Sequence, residues 1–113
     1  MNKIQIGDVE IIALRDGAAG LRLKLDEVFP SIQAAQWEPY LQRYPQVFIH
    51  PAQVTEIDWC AIFDMDKEEI TATRRHLLDW LEQEKIVLAA GHFPYPGFGH
   101  IIPRDGRHSW EEL

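Results

Sequence analysis

The segment formed by residues 66–103 constrains the fold of this chain more than any other part of the sequence. Asp66 and Glu69 form a D-x-x-E pattern, which is typical of the capped start of a helix. The apolar run "IVLAA" at residues 86–90 follows this predicted helix, with only Lys85 between them. A helix followed at once by a strand predicts an αβ unit packed face to face. The apolar stripe of the helix comprises Ile70, Leu77, Leu78 and Leu81.

Turn signals divide the rest of the chain into short elements. Gly7-Asp8 and Asp105-Gly106 each separate two β-prone runs, so both predict β-hairpins. The alternation "LRLKL" at residues 21–25 predicts an exposed edge strand, and the region around Pro39 predicts two short helical pieces. The elements together predict one α+β domain over residues 1–113. It has an N-terminal β-hairpin, short helices, one long amphipathic helix, a core strand and a C-terminal hairpin.

The middle of the chain, "QVFIHPAQVTEIDWCAIFDMD" at residues 46–66, has no clear hydrophobic period. It predicts either one strand near residues 59–63 or a mostly extended loop. His50 precedes Pro51, which disfavours helical backbone and places His50 in an extended loop. Cys60 has apolar neighbours and no basic residue beside it, so we interpret it as a small buried apolar side chain.

The charge balance limits the classes of partner. The chain has 18 acidic and 11 basic residues, which give a formal net charge of −7. A surface of this sign repels phosphate backbones and anionic lipid, which argues against nucleic-acid and membrane partners. The sequence has no apolar run near the roughly 20 residues of a membrane span, and no export signal at its N-terminus. Because the chain also carries a lone cysteine, we expect a cytoplasmic protein.

Histidine is the residue type that best suits metal binding or acid–base chemistry in this chain. No two of the five histidines form an H-x-H or H-E-x-x-H pair, the spacings with which one element presents two ligands. His92 directly follows the apolar run, in the stiff aromatic loop "GHFPYPGFGH". The loop either presents His92 as a ligand or base, or covers the end of a core. His92, His100 and His108 share a metal site only if the turns bring them together.

Two blocks of the sequence carry a resemblance to a known family. The block "ATRRHLLDWLEQEKIVLAAGHFPYPGFGHI" resembles the C-terminal helix, strand and ligand loop of the metallo-β-lactamase superfamily. The N-terminal "IGDVEIIALRDG", with the later "VFP", "W.PY" and "RYP", is similar to the first hairpin and the following segment of the same superfamily. The blocks cover about residues 3–51 and 57–110. The resemblance implies part of a four-layer sandwich, with His92 at the position of the last zinc ligand.

The departure from the family is as informative as the match. The H-x-H-x-D-H motif of the superfamily, a further histidine and a bridging aspartate are missing, and "HPAQVTEIDW" joins one block to the other. A hydrolytic zinc ion needs about three protein ligands, so one inherited ligand is too few. The resemblance therefore implies a truncated domain with blocks at residues 1–51 and 57–113. In it His92 is a vestigial ligand and no cofactor is expected.

Two classes of function remain open from the sequence. The preferred prediction is a non-catalytic, internally shortened metallo-β-lactamase-like protein that serves as a binding or structural module. The alternative is a zinc-dependent hydrolase of an ester or lactone. Its site would be rebuilt across subunits from His92 with His50, His100 or His108.

The central segment of the superfamily fold, which this chain lacks according to the resemblance, would cover apolar sheet faces, so its absence predicts self-association. Apolar area left in water costs roughly 25 cal/mol per Å², so a few hundred Å² amount to several kcal/mol. We therefore expect a homodimer in which strands or sheet faces of two copies complete each other's core.

Overall fold

The computed structural model describes residues 2–13, 24–44 and 49–113, with the backbone alone at residues 49 and 50. The helices and strands of these residues confirm the predicted α+β class. None of the described helices is both long and apolar enough to cross a membrane. In chain order the elements are β1 (Lys3–Ile6), β2 (Val9–Ile12), α1 (Leu25–Val28), α2 (Ala34–Arg43), α3 (Ile49–Thr55), α4 (Lys67–Glu84), β3 (Leu88–Ala89), β4 (Phe98–Arg104) and β5 (Arg107–Glu112).

Both predicted hairpins are present. Strands β1 and β2 pair antiparallel around Gly7-Asp8, and β4 and β5 pair antiparallel around Asp105-Gly106. Asp105 and Gly106 have φ angles of 52° and 75°, and positive values at both positions are what a type I′ turn requires. The sequence predicted these two elements because the turn residues and the alternation of the strands are local signals.

Helix α4 begins and ends as the sequence predicts. The side chain of Asp66 accepts a hydrogen bond of 3.0 Å from the backbone N–H of Glu69. Lys85 caps the other end in the left-handed conformation, with φ of 54°. Leu78 and Leu81 are buried, whereas Leu77 is 47% exposed, so the predicted apolar stripe was too wide.

The strand predicted at residues 86–90 is shorter than expected, and it lies at the edge of a sheet and not in the core. Strand β3 contains only Leu88 and Ala89, and it forms one edge of a sheet with the order β3-β4-β5. The backbone N–H of Ile86 instead donates to the carbonyl of Leu81 at 3.2 Å. The first residue of the apolar run is therefore used to end α4, in the manner of helix-terminating turns.

In the middle of the chain, residues 49–55 fold as helix α3, which neither prediction contained, whereas residues 56–66 form turns and loop. Residues 59–63 have no strand, and the backbone of His50 lies in the first turn of α3 rather than in an extended loop. Pro51 is tolerated there because the first turn of a helix does not need its missing N–H. Residues 51–54 are all buried, so α3 shows no alternation of polar and apolar positions.

The region around Pro39 contains two helices, α1 and α2, as predicted, but α2 continues through Pro39. The start of α2 is fixed because Gln36 Oε1 accepts the backbone N–H of Gln33 at 2.9 Å. Within the predicted strand at residues 21–25, residues 21–23 lie outside the described part, and Leu25 begins α1. Cys60 is half-buried rather than buried, with its Sγ atom 3.7 Å from a threonine hydroxyl.

Helix α3 contributes to both hydrophobic clusters of the described structure. Ala52 belongs to the cluster of α1 and α2, and Val54 belongs to the cluster between α4 and the three-stranded sheet. The first cluster contains Val28, Phe29, Trp37, Ala52 and Trp59. The second contains Val54, Leu78, Leu81, Ile101 and Trp110.

Candidate functional site: a basic groove beside the C-terminal hairpin

The loop that carries His92 connects β3 to β4 and is held by its own backbone. The N–H of Ala90 donates to the carbonyl of Gly97 at 2.8 Å, and the N–H of Gly97 donates to the carbonyl of Pro94 at 2.7 Å. His92 has a φ of 66°, a conformation that side chains other than glycine adopt rarely, and it is exposed.

The aromatic residues of this loop pack on the sheet. The rings of Phe93 and Trp110 lie 4.6 Å apart between centroids in an edge-to-face arrangement. Phe98 is buried, and the hydroxyl of Tyr95 donates to the carbonyl of Ala13 at 3.0 Å. The loop therefore covers one end of the second hydrophobic cluster and ties it to the end of the N-terminal hairpin.

The described structure does not gather the predicted histidines into one site. Between β4 and β5, His100 and His108 are three register positions apart, so their side chains leave opposite faces of the sheet. The side chain of His50 lies outside the described part. Within residues 2–13, 24–44 and 49–113, no three histidine, cysteine or acidic side chains come together as metal ligands.

His108 instead joins the sheet to α4. Its Nε2 atom is 2.8 Å from Asp79 Oδ1, and its Nδ1 atom is 3.3 Å from Glu82 Oε1. The side chain of Glu82 is one-quarter exposed, whereas that of Asp79 is about half exposed. Two carboxylates one helical turn apart thus orient one imidazole on β5.

A groove of about 220 Å³ lies beside the same hairpin, between α2, α3 and the turn end of β4 and β5. Its lining includes Tyr40, Arg43, Thr55, Arg104 and Arg107, and we call it the arginine groove. Three guanidinium groups at one place stand out in a chain with a net charge of −7.

Glu56, which directly follows α3, holds one wall of the arginine groove together. Glu56 Oε1 accepts a hydrogen bond of 2.8 Å from the hydroxyl of Tyr40 and one of 2.6 Å from Arg107 Nη1. Burial and, secondly, the hydrogen bond to the Glu56 carboxylate together raise the pKa of Tyr40 to about 12. The hydrogen bond to Glu56 also raises the pKa of Arg107. At neutral pH this wall therefore presents the protonated phenol of Tyr40 and the guanidinium of Arg107, both hydrogen-bonded to the carboxylate of Glu56.

The neighbouring wall covers the free edge of β5. Arg43 Nη2 and the hydroxyl of Tyr44 donate to the carbonyl of Trp110 at 3.3 Å and 3.4 Å, and the hydroxyl of Thr55 donates to the carbonyl of His108 at 2.8 Å. These side chains satisfy acceptors that an edge strand otherwise presents to water. They also fix α2 and α3 against the hairpin, which sets the width of the groove.

Arg43 and Arg104 approach the same phenol. Both guanidinium groups favour the ionised form of Tyr44, although burial dominates and raises the pKa of Tyr44 overall. The guanidinium carbon of Arg43 is 5.5 Å from the centre of the Tyr44 ring. Arg43 and Arg104 therefore act on one ring from α2 and β4, and Arg107 lines the same groove from β5.

Sequence reasoning directed attention to histidines and missed this groove. One local signal was available: once Asp105-Gly106 forms a two-residue turn, Arg104 and Arg107 in "RDGR" must face each other across the strands. The contributions of Tyr40 and Glu56 had no comparable signal, because α2 and α3 meet β5 only through tertiary packing.

In comparisons with family models, curated proteins and solved structures, no match to the chain was found.

Proposed function

We propose that the protein is a non-catalytic, internally shortened relative of the metallo-β-lactamase superfamily that works as a binding module in the cytoplasm. The two sequence blocks that resemble the superfamily support the relationship. The lone cysteine, which can form no disulfide within the chain, supports the location.

The observation that carries the binding role is how the polar groups of the arginine groove are held. Tyr40 remains a protonated hydrogen-bond donor at neutral pH because its pKa is about 12. The hydroxyl of Thr55 is engaged with the backbone of β5 at 2.8 Å. Both hydroxyl hydrogens are thus engaged within the protein, where they fix the walls of the groove, and the donors for a ligand are the guanidinium groups that line it. A general base, in contrast, needs a pKa near the working pH.

The contacts of the His92 loop support a structural role for it. Phe93 packs on Trp110, and the loop closes on itself through two backbone hydrogen bonds. In this proposal the loop inherited its shape from a zinc site and now covers the end of a core. His92 is the residue at which the alternative, a zinc hydrolase completed by a second subunit, is best tested.

Zinc content and hydrolysis test the proposal together. The full chain is incubated with zinc, freed of excess metal, and measured for bound zinc and for turnover of simple esters and lactones. We expect no turnover that depends on zinc, in the wild type or in His92→Ala. Stoichiometric zinc and turnover that are both lost in His92→Ala, but kept in the matched variant His76→Ala on the exposed face of α4, would contradict the proposal.

We also propose that the module is a homodimer formed through its N-terminal hairpin. The pairing of β1 with β2 places Ile4, Ile6, Val9 and Ile11 on one face, and Ile6 and Val9 are 59% and 61% exposed. Within the described residues these strands have no third strand beside them, and an isolated two-stranded hairpin is marginally stable in water.

A second copy of the chain is the occupant that this surface favours. It presents the same apolar face and the same free strand edges, so one two-fold axis covers both copies at once.

A further inference from the structure

The closing pair of the C-terminal hairpin places two like charges opposite each other. Arg104 on β4 pairs with Arg107 on β5, directly before and after the turn. Facing side chains in an antiparallel pair lie about 5 Å apart at Cβ, and like charges at such positions are destabilising. The fold therefore keeps an arrangement that costs stability unless another charge offsets it.

The carboxylates at this end of the hairpin offset the arginines unequally. Glu56 forms an ion pair of 2.6 Å with Arg107. Arg43 donates to a neutral carbonyl, that of Trp110. The guanidinium of Arg104 makes no hydrogen bond or ion pair with the residues of the described structure. Asp105 is an exposed acid at the rim, so three guanidinium groups are set against two carboxylates.

We propose that the arginine groove binds the phosphate group of a small molecule, an inference that rests on the binding function proposed above. A phosphate dianion supplies the missing negative charge and has several oxygens for guanidinium groups that approach from α2, β4 and β5. The donors still available are on Arg43 and Arg104, while Glu56 holds Arg107 in place.

The size of the groove limits the ligand. Its volume of about 220 Å³ is below the roughly 300–1,000 Å³ of sites that enclose a drug-sized molecule. The groove therefore accommodates a phosphate group with a few further atoms, and the remainder of a larger ligand would extend into solvent.

Binding of inorganic phosphate tests the proposal. Calorimetric titration of the full chain is done at low ionic strength, because salt screens exposed charges. Arg104→Gln is expected to weaken phosphate binding by about tenfold or more, since a charge-assisted hydrogen bond is lost. The same variant should fold with unchanged or higher stability because it removes the repulsion with Arg107. Arg75→Gln, on the exposed surface of α4, is the matched control and should bind as the wild type does.

Asp105→Asn gives a test with the opposite sign. Asparagine tolerates the φ of 52° at this position, so the turn is retained while a negative charge at the rim is removed. Phosphate should then bind several-fold more tightly, a result that misfolding does not produce. Unchanged binding in both Arg104→Gln and Asp105→Asn would overturn the proposal.

Two further outcomes separate this inference from the proposed function. Succinate that binds as tightly as phosphate, with the same dependence on Arg104, would overturn the assignment to phosphate and leave the binding module intact. Phosphate binding that requires zinc and is lost in His92→Ala would overturn both.

Discussion

Tyr40 links α2 to the wall of the arginine groove, and its ionisation makes that link dependent on pH. Its pKa is about 12 in the folded protein, against an ordinary value of 10.0, chiefly because of burial and secondarily because of Glu56. The folded value is the higher one, so the protonated phenol contributes stability that is fully present below pH 10. This contribution is lost as the pH rises toward about 12.

Replacement of Tyr40 by phenylalanine should remove this dependence. Tyr40→Phe loses a hydrogen bond worth about 1 kcal/mol, but between pH 10 and pH 12 its free energy of unfolding should fall less than that of the wild type. Urea unfolding at the two ends of this range measures the difference. In Glu56→Gln the tyrosinate absorbance of Tyr40 should appear at lower pH. An equal fall in Tyr40→Phe and the wild type would contradict the assignment.

His108 should contribute to stability through its two carboxylate partners on α4. The pairs are partly exposed, so we expect His108→Ala to lower the free energy of unfolding by only about 1 kcal/mol. The double variant with Asp79→Ala should cost less than the sum of the single changes, because both remove one interaction. His76→Ala is the control on the same helix, and an exposed histidine there should change stability little. Additive costs in the double variant would argue against the contact.

At the scale of elements, the packing of β4 on β5 depends on a glycine. A Cβ atom at Gly99 would lie 2.6 Å from the Cζ2 atom of Trp110 and would also meet the carbonyl of Glu111. Gly99→Ala should therefore cost about 2–3 kcal/mol in a urea or thermal unfolding experiment. Gly91→Ala has open space around the added methyl group and should stay within about 0.5 kcal/mol of the wild type. Equal effects of the two changes would show that the ring of Trp110 does not occupy this position.

The elements that the sequence predicted well are those with local signals. Asp105-Gly106 specifies its hairpin and Asp66 specifies the start of α4, because both act through residues two or three positions away. Helix α3 was missed because residues 51–54 are buried on all sides and show no amphipathic period. The same burial explains its polar member: Gln53 donates to the carbonyl of Trp59 at 2.8 Å, so it is satisfied without reaching water.

The candidate site was harder to predict than the fold. The sequence predicted that His92 lies in a stiff aromatic loop, and its φ of 66° is an unusual backbone conformation for such a residue. The arginine groove is lined by residues 40, 43, 55, 104 and 107, which come from three separate regions of the chain, and Glu56 holds two of them. These residues come together only because α2 and α3 pack along the edge of β5, and that packing has no local signal in the sequence.

At the scale of the whole molecule, the N-terminal hairpin determines the expected oligomeric state. A charge placed on its apolar face should separate the proposed dimer, so Ile6→Lys should sediment as a monomer of 13.1 kDa while the wild type has twice this mass. Ile12→Lys is the matched control, because Ile12 is 51% exposed but lies on the opposite, mostly polar face of the hairpin. A monomeric wild type would contradict the proposed dimer.

In the proposed function the protein acts through the arginine groove and not through a metal at His92. Amide chemical shifts of the full chain, followed by NMR during titration with inorganic phosphate in the presence of zinc, distinguish these two sites. We expect shift changes centred on Arg43, Arg104 and Arg107, with the amides of residues 91–93 unchanged. Changes centred on His92, with the groove unaffected, would contradict it.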